Sequence, residues 1–155
     1  MQLIVRKAEL KDVKAICEIL QVYAEQQIVL ARDEADITFY LKNFSVCEAD
    51  GVITGCVALR DFGNELMEVR SLAVKEGFKG MGIGRAMLQS LIDNLKKEKQ
   101  KTRVFALTYQ DKFFQKLGFN VVEKELFPEK IWADCEKCPK KYHCDEIAVL
   151  LEINN

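Results

Sequence analysis

Glycine is concentrated in one short stretch of the chain, at positions 77, 80, 82 and 84. The stretch follows the β-prone run 66–74 and precedes apolar residues over 86–95 that repeat with the spacing of one helix face. Glycine lets the backbone turn tightly, so that successive N–H groups can surround an anion at the beginning of a helix. This pattern predicts a binding site for phosphate groups where the helix starts.

Two common nucleotide-binding motifs do not fit this stretch. Residues 80–85 read Gly-Met-Gly-Ile-Gly-Arg, which lacks the Gly-x-Gly-x-x-Gly spacing of dinucleotide-binding folds. The Gly-Lys-Ser/Thr ending of a P-loop is missing as well. Both nucleotide motifs are therefore excluded, and a glycine-rich turn without a ligand stays as the alternative.

A second group of reactive residues, Cys135, Cys138, His143 and Cys144, falls within ten residues. The three cysteines are candidate ligands for zinc, although the adjacency of His143 and Cys144 makes simultaneous ligation awkward. The alternatives are a redox pair at Cys135 and Cys138, or reduced thiols in a flap over the substrate. The other cysteines stand among apolar residues and are interpreted as reduced core thiols: Cys17, Cys47 and Cys56.

Length and charge limit the class of protein. A chain of 155 residues predicts one domain over 1–155, with the cysteine-rich segment 132–146 inside it. Lys and Arg total 23 against 24 Asp and Glu, so no excess of positive charge favours nucleic acid or an anionic membrane as partner. No apolar run approaches the ~20 residues of a membrane span, and the first residues lack a signal-peptide core. We therefore expect a cytoplasmic protein.

Apolar periodicity and turn residues predict the elements that position these groups. Asp50-Gly51 between two β-prone runs indicates a hairpin, and 61–64 is expected to form the next turn. The order βααβββαβαβ predicts an α+β fold, in which helices flank a mixed, mostly antiparallel sheet. The expected strands are 3–7, 44–48, 52–59, 66–74, 104–108 and 119–122, and the expected helices are 13–24, 33–42, 86–95 and 112–117.

The run Lys79-Gly-Met-Gly-Ile-Gly84 resembles the signature Gln/Arg-x-x-Gly-x-Gly/Ala of the GNAT superfamily of N-acetyltransferases, with Lys at its first place. Further similarity follows in the family's order at Val5-Arg6-Lys7-Ala8, Ser71-Leu72-Ala73-Val74 and 113–119, so that residues 3–123 are covered. The resemblance implies a GNAT-like fold and acetyl-coenzyme A as cosubstrate. It also implies an acyltransferase that passes the acetyl group directly to an amine.

A narrower resemblance is to the acetyltransferase module of N-acetylglutamate synthases. Residues 23–32, which contain Glu-Gln-Gln and then Arg32, are similar to that group's exit from the first helix. Leu107-Thr108 followed closely by 113–119 is similar to it as well. The chain thus resembles a stand-alone short form, which implies an acceptor such as glutamate or a related amino acid and a role in amino-acid biosynthesis. Asp145-Glu146 departs from the basic residues that the group places before its last strand.

The GNAT resemblance implies which residues bind acetyl-coenzyme A. In this family the fourth strand splays from the fifth, so Leu72, Ala73 and Val74 act through backbone groups on the acetyl carbonyl and the pantetheine arm. Phe114 stands where the family often has a tyrosine, and it is counted with the cofactor-binding residues. The pyrophosphate is expected to contact Lys79, Gly80, Met81, Gly82, Ile83, Gly84 and Arg85.

Four further side chains are candidates for the chemistry and for the acceptor. Glu68, four residues before Leu72 and on the same strand face, is the candidate general base, with an exposed or salt-bridged glutamate as the alternative. Tyr109 is either the general acid or an aromatic wall. Arg32 is a carboxylate clamp or a surface arginine of the second helix, and Arg70 is a second candidate clamp.

Two other functions stay open on the sequence. The first is acetylation of another amine, such as a polyamine, an antibiotic or a protein N-terminus, with Asp145 and Glu146 binding the cation. The second is a non-catalytic coenzyme A sensor, which the phenylalanine at position 114 favours. The expected partner is a small-molecule amine, and a homodimer is considered because dimers are usual among the proteins that the chain resembles.

Overall fold

The computed structural model describes residues 2–26, 28, 32–98, 100–126 and 146–153. Within these ranges it contains seven strands and four α-helices, with single 3₁₀ turns at Leu10–Asp12, Leu41–Asn43 and Lys124–Leu126. In chain order the elements are β1 Leu3–Lys7, α1 Val13–Glu25, α2 Glu34–Phe39, β2 Phe44–Ala49, β3 Val52–Gly63, β4 Leu66–Val74, α3 Ile83–Lys97, β5 Thr102–Thr108, α4 Asp111–Gln115, β6 Asn120–Val122 and β7 Ile147–Ile153.

The strands form one mixed sheet in the order β1-β2-β3-β4-β5-β7-β6. β4 and β5 are parallel, whereas the pairs β1–β2, β2–β3, β5–β7 and β6–β7 are antiparallel. The expected α+β fold with a mostly antiparallel sheet is therefore confirmed. The predicted element order ended at β6 and was wrong to leave out β7, which inserts between β5 and β6.

Two hairpin turns connect the central strands. Asp50 and Gly51 both have positive φ, of 51° and 80°, which is the backbone that a two-residue hairpin requires. The next turn lies at Asn64 and Glu65, with φ of 53° and 64°, so the turn predicted over 61–64 includes Asn64 but was wrongly placed to begin at residue 61. β3 continues to Gly63 because Phe62 packs against Phe105, with 5.9 Å between ring centroids.

The described residues divide into two compact units. The first unit comprises Met1–Arg60 and Val69–Lys97, and the second comprises Asp61–Glu68 and Glu98–Asn155. The core of the first unit joins α1 and α2 to β2 through fully buried apolar side chains, which include Ile16, Leu20, Ile37, Phe44 and Val46. The second unit has its own apolar cluster around Leu66, Phe105 and Ala148. The expectation of one domain over 1–155 stays a prediction.

An ion-pair network around Arg6 joins β1, β2 and the beginning of α1. The Arg6 guanidinium binds both Asp12 oxygens, at 2.7 and 3.0 Å, and donates to Glu48 at 2.8 Å. Asp12 is only 2% exposed and also accepts the Glu9 backbone N–H. The Arg6 hydrogen bonds lower the pKa of Asp12, and the Asp12 and Glu48 carboxylates raise the pKa of Arg6.

Asp12→Asn should lower the free energy of unfolding by about 2 kcal/mol at neutral pH, because it weakens a buried, charge-assisted pair. The folded-state pKa of Asp12 lies below its ordinary value of 3.8, so the pair stabilises the fold above that pH. This contribution is lost as the pH falls through the folded-state pKa. Chemical denaturation across the acid range measures the difference, which should shrink progressively as the pH falls below 3.8.

Lys11→Gln is the control for this prediction. Lys11 pairs with Glu9 at 3.7 Å, but both side chains are more than half exposed, so the change should cost less than about 0.5 kcal/mol. Equal losses in the two variants, or a loss in Asp12→Asn that does not depend on pH, contradict a stabilising role for the Asp12 charge.

Candidate active site

β4 carries several of the candidate site residues and contributes Leu66–Glu68 to the second unit and the rest of the strand to the first. Its parallel pairing with β5 consists of three residue pairs, Leu66–Glu68 with Arg103–Phe105. β4 continues from there to Val74. The N–H of Lys75, just beyond the strand, donates to the Thr54 carbonyl of β3 at 2.7 Å. Because the two ends of a trans peptide unit point in opposite directions, the Val74 carbonyl points away from β3.

Ser71 interrupts the regular geometry of β4. Its φ is 54°, in the left-handed region that residues other than glycine seldom adopt. The expectation that Glu68 and Leu72 share one strand face required unbroken alternation through Ser71, and the kink removes that basis.

The glycine-rich stretch forms an exposed loop that leads into α3. Gly77, Gly80 and Gly82 have φ of 90°, 80° and 79°. The Ala86 N–H donates to the Gly82 carbonyl at 3.0 Å, which makes Gly82 the residue where the helical hydrogen bonding begins. The N–H groups of residues 83–85 precede this bond and have no carbonyl acceptor within α3. A Cβ atom built on Gly80 or Gly82 meets no atom within 4 Å, so the space in front of the loop is open to a ligand.

Tyr23, in the last turn of α1, joins the end of β4 to this loop. Its hydroxyl donates to the Val74 carbonyl at 2.6 Å. The Lys79 ammonium lies 5.0 Å from the centroid of the Tyr23 ring, within the range of a cation–π interaction. Tyr23 was not among the site residues predicted from the sequence, since a tyrosine inside the expected helix 13–24 carries no signal for either contact.

Arg32 is held in place from several sides. It precedes α2 and its side chain is 10% exposed, so the alternative of a surface arginine on that helix is wrong. Its Nε donates to Asp36 Oδ2 at 2.6 Å, and its Nη1 donates to Ser71 Oγ at 3.2 Å. The guanidinium carbon lies 4.9 Å from the Phe44 ring centroid and 5.7 Å from that of Tyr40. A guanidinium fixed in this way is suited to binding a carboxylate.

The candidates for acid–base chemistry and the second clamp lie on β4 and just after β5. Glu68 is buried, at 3% exposed, and ends the β4–β5 pairing. Arg70 is half-buried on β4, and Tyr109 is half-buried directly after Thr108, the last residue of β5. Arg32, Arg70 and the glycine loop belong to the first unit, whereas Glu68 and Tyr109 belong to the second.

Phe114 lies in α4 of the second unit and is 3% exposed. Its ring packs edge-to-face against Phe113 and Phe119, with centroid distances of 5.4 and 5.2 Å. Its expected contact with the cofactor stays a prediction.

The predicted metal ligands Cys135, Cys138 and Cys144 lie outside the described residues, together with His143 and Asp145. Among the residues that are described, no group of three His, Cys, Asp or Glu side chains could hold a metal ion. Cys17, Cys47 and Cys56 are free cysteines; Cys47 and Cys56 lie in the core as predicted, whereas Cys17 is half-buried at its edge. Burial raises the pKa of Cys56 to about 12.

In the part of the chain that the structure describes, no helix combines the length and apolarity needed to cross a membrane.

The family model of the acetyltransferase (GNAT) domain matches residues 40–121, more than half of the chain. The chain therefore belongs to the GNAT family, as the motif at 79–84 predicted. It is an N-acetyltransferase, and its cosubstrate is acetyl-coenzyme A.

Two curated relatives match most of the chain. An uncharacterised N-acetyltransferase of Chlorobaculum tepidum is 40% identical over 94% of both chains. An amino-acid acetyltransferase of Mycobacterium tuberculosis is 33% identical over 77% of this chain and 70% of its own.

Two solved structures share the fold. A Mycobacterium tuberculosis protein in complex with CoA has a TM-score of 0.82 and 28% identity, and covers 96% of this chain and 98% of its own. An N-acetylglutamate synthase of Neisseria gonorrhoeae, complexed with coenzyme A and N-acetyl-glutamate, has a TM-score of 0.87 at 24% identity. This chain spans 36% of the synthase, and the similarity at that identity shows the fold alone.

Tyr23→Phe should lower the free energy of unfolding by about 1 kcal/mol, because it removes the hydrogen bond to the Val74 carbonyl and keeps the ring under Lys79. Guanidinium denaturation measures the change. Tyr40→Phe is the control, since Tyr40 is 44% exposed and its hydroxyl should contribute little. A Tyr23→Phe protein as stable as wild type contradicts a stabilising bond at Val74.

Proposed function

We infer that this enzyme acetylates the α-amino group of an amino acid, with glutamate or a close relative as first choice. The observation that carries the proposal is Arg32, whose side chain is 10% exposed and bound to Asp36 and Ser71. Ser71 lies one residue before the segment 72–74 that we assign to acetyl-coenzyme A. The similarity to the amino-acid acetyltransferase of Mycobacterium tuberculosis supports the same acceptor class and a role in amino-acid biosynthesis.

For the cosubstrate, we assign the pyrophosphate to the glycine loop and to the N-terminus of α3. The N–H groups of residues 83–85 and the partial positive charge of the helix end favour a bound anion. Lys79 and Arg85 are exposed and add positive charge. The backbone of Leu72–Val74 receives the acetyl carbonyl and the pantetheine arm. Phe114, whose ring packs against Phe113 and Phe119, is proposed to contact the cofactor as well.

For the acceptor, Arg32 binds a carboxylate of the amino acid. Asp36 uses the Nε side of the guanidinium and Ser71 uses one Nη1 hydrogen, and these two contacts occupy two of the five N–H donors. A carboxylate can accept from the remaining donors of the fork. Arg70, half-buried on β4, is proposed as the second cationic contact.

The chemical step forms a C–N bond between the amine and the acetyl carbonyl carbon and breaks the C–S bond of the thioester. The amine must lose a proton, and the leaving thiolate must gain one. We assign Glu68 as the proton acceptor, acting through water, and Tyr109 as the proton donor. Backbone N–H groups of β4 stabilise the negative charge that develops on the carbonyl oxygen.

Gly82→Ala should weaken coenzyme A binding at least about tenfold, because its Cβ enters the space that the phosphates need at the beginning of α3. Gly63→Ala is a matched control. Gly63 also has φ of 79° and open space at its Cβ, but it lies at the end of β3. Both variants carry the same backbone strain, of about 1 kcal/mol. Calorimetry should show a loss of affinity in Gly82→Ala only, and equal affinities contradict the pyrophosphate assignment.

Arg32→Ala should raise the acceptor KM at least about 30-fold, because truncating one partner of a buried charge pair costs about 2 kcal/mol or more. The affinity for coenzyme A should not change. Steady-state assays of thiol release compare glutamate with its α-amide and γ-amide. If Arg32→Ala acts equally on the acid and on both amides, or if wild type acetylates no amino acid, the amino-acid proposal is wrong and another amine replaces it.

Glu68→Gln should lower kcat about 100-fold if Glu68 accepts the amine proton. The loss should become smaller at high pH, where more of the bound amine is already deprotonated. The pH dependence of kcat tests this, with thermal denaturation and coenzyme A affinity as controls for the fold. A loss that is the same at every pH contradicts the role as base. A wild-type protein that binds coenzyme A but has no activity at any pH favours a coenzyme A sensor.

A further inference from the structure

Ser71 combines an unfavourable backbone conformation with a side-chain contact to Arg32. It lies inside β4 with φ of 54°, where glycine or asparagine would be expected. Its hydroxyl accepts from Arg32 Nη1 at 3.2 Å. Its carbonyl accepts from the Cys56 thiol on β3, with Sγ and O 3.5 Å apart. Strained residues of this kind persist where the surroundings hold them, and they cluster at functional sites.

The Arg32 guanidinium is therefore held by two elements that are far apart in sequence. Asp36 of α2 binds Nε, and Ser71 of β4 binds Nη1. The Phe44 and Tyr40 rings limit the remaining movement of the guanidinium group. The Asp36 contact is four residues away and moves with the same segment, so it cannot fix Arg32 relative to β4. The hydrogen bond from Nη1 to Ser71 Oγ links the guanidinium directly to β4, and the Phe44 ring adds a contact with β2.

We propose that Ser71 is a positioning residue, which orients Arg32 so that the carboxylate of the acceptor amino acid is held at a fixed place along β4. This inference rests on the proposed function, because it needs Arg32 to bind the acceptor. In this proposal the Ser71 hydroxyl acts on the acceptor only through its contact with Arg32. Its left-handed backbone is the feature that turns the hydroxyl towards Arg32.

Ser71→Ala removes the hydroxyl and leaves the backbone requirement unchanged. It should raise the KM for the amino acid about tenfold and change kcat and coenzyme A affinity less than about twofold. The KM values for the α-amide and the γ-amide of glutamate should show which carboxylate Arg32 binds. The amide that lacks this carboxylate should have a KM that does not change in Ser71→Ala. Cys56→Ala is the control, since it alters the contact at the Ser71 carbonyl but keeps the hydroxyl.

Two more variants separate positioning from a general effect on the strand. In Ser71→Asn, the new asparagine tolerates a positive φ and offers an amide oxygen to Arg32. This variant should therefore raise the KM for the amino acid less than Ser71→Ala does. In an Arg32→Ala background, Ser71→Ala should have no further effect on KM, because its role passes through Arg32.

The outcomes distinguish this inference from the proposed function. Suppose that Arg32→Ala is selective for carboxylate acceptors. The role of Ser71 is then overturned, and the proposed function stands, if Ser71→Ala leaves the KM unchanged or if it raises the KM as much in the Arg32→Ala background as in wild type. If Cys56→Ala reproduces the KM change, the effect belongs to the strand and not to the hydroxyl. If wild type acetylates no amino acid, both proposals fall together.

Discussion

The backbone of β4 must pair with its neighbours in the sheet and, in our proposal, must also bind acetyl-coenzyme A. The rest of the site depends on how β4 meets both requirements. A strand in the middle of a sheet needs partners for its N–H and C=O groups on both edges, because buried backbone groups without partners are costly. β4 pairs with β5 over Leu66–Glu68 and then runs on to Val74. Two carbonyls beyond that point have partners from side chains: the Cys56 thiol at Ser71 and the Tyr23 hydroxyl at Val74. In our proposal, acetyl-coenzyme A supplies partners for the rest of this segment.

Local patterns in the sequence were sufficient for most elements of the fold. The Asp50-Gly51 turn and the apolar face of α1 depend on residues that are close in sequence, and both were predicted. β7 was not, because its place between β5 and β6 results from pairing between segments far apart in the chain. The turn after β3 was placed too early for a similar reason, since Phe62 stays in the strand through its contact with Phe105.

The features of the candidate site also divide into those that local sequence predicts and those that depend on distant contacts. The glycine loop was predictable, because Gly80 and Gly82 have positive φ and glycine is the residue type that adopts positive φ most easily. The left-handed Ser71 was not, since serine carries no such signal. The sequence also could not show that the Arg32 side chain is only 10% exposed, because its partner Ser71 lies 39 residues away. Residues that hold a functional group through distant contacts, such as Tyr23 and Ser71, become visible only in the folded chain.

The most direct test of the proposed cosubstrate site is residue-resolved amide hydrogen exchange with and without saturating coenzyme A. We expect exchange to slow at least about tenfold at two places, the backbone of Leu72–Val74 and the N–H groups of residues 83–85. The exposed hairpin turn at Asp50-Gly51 should not change. Slower exchange elsewhere, with these two segments unchanged while coenzyme A is bound, would contradict the assignment of β4 and the beginning of α3 as the cosubstrate site.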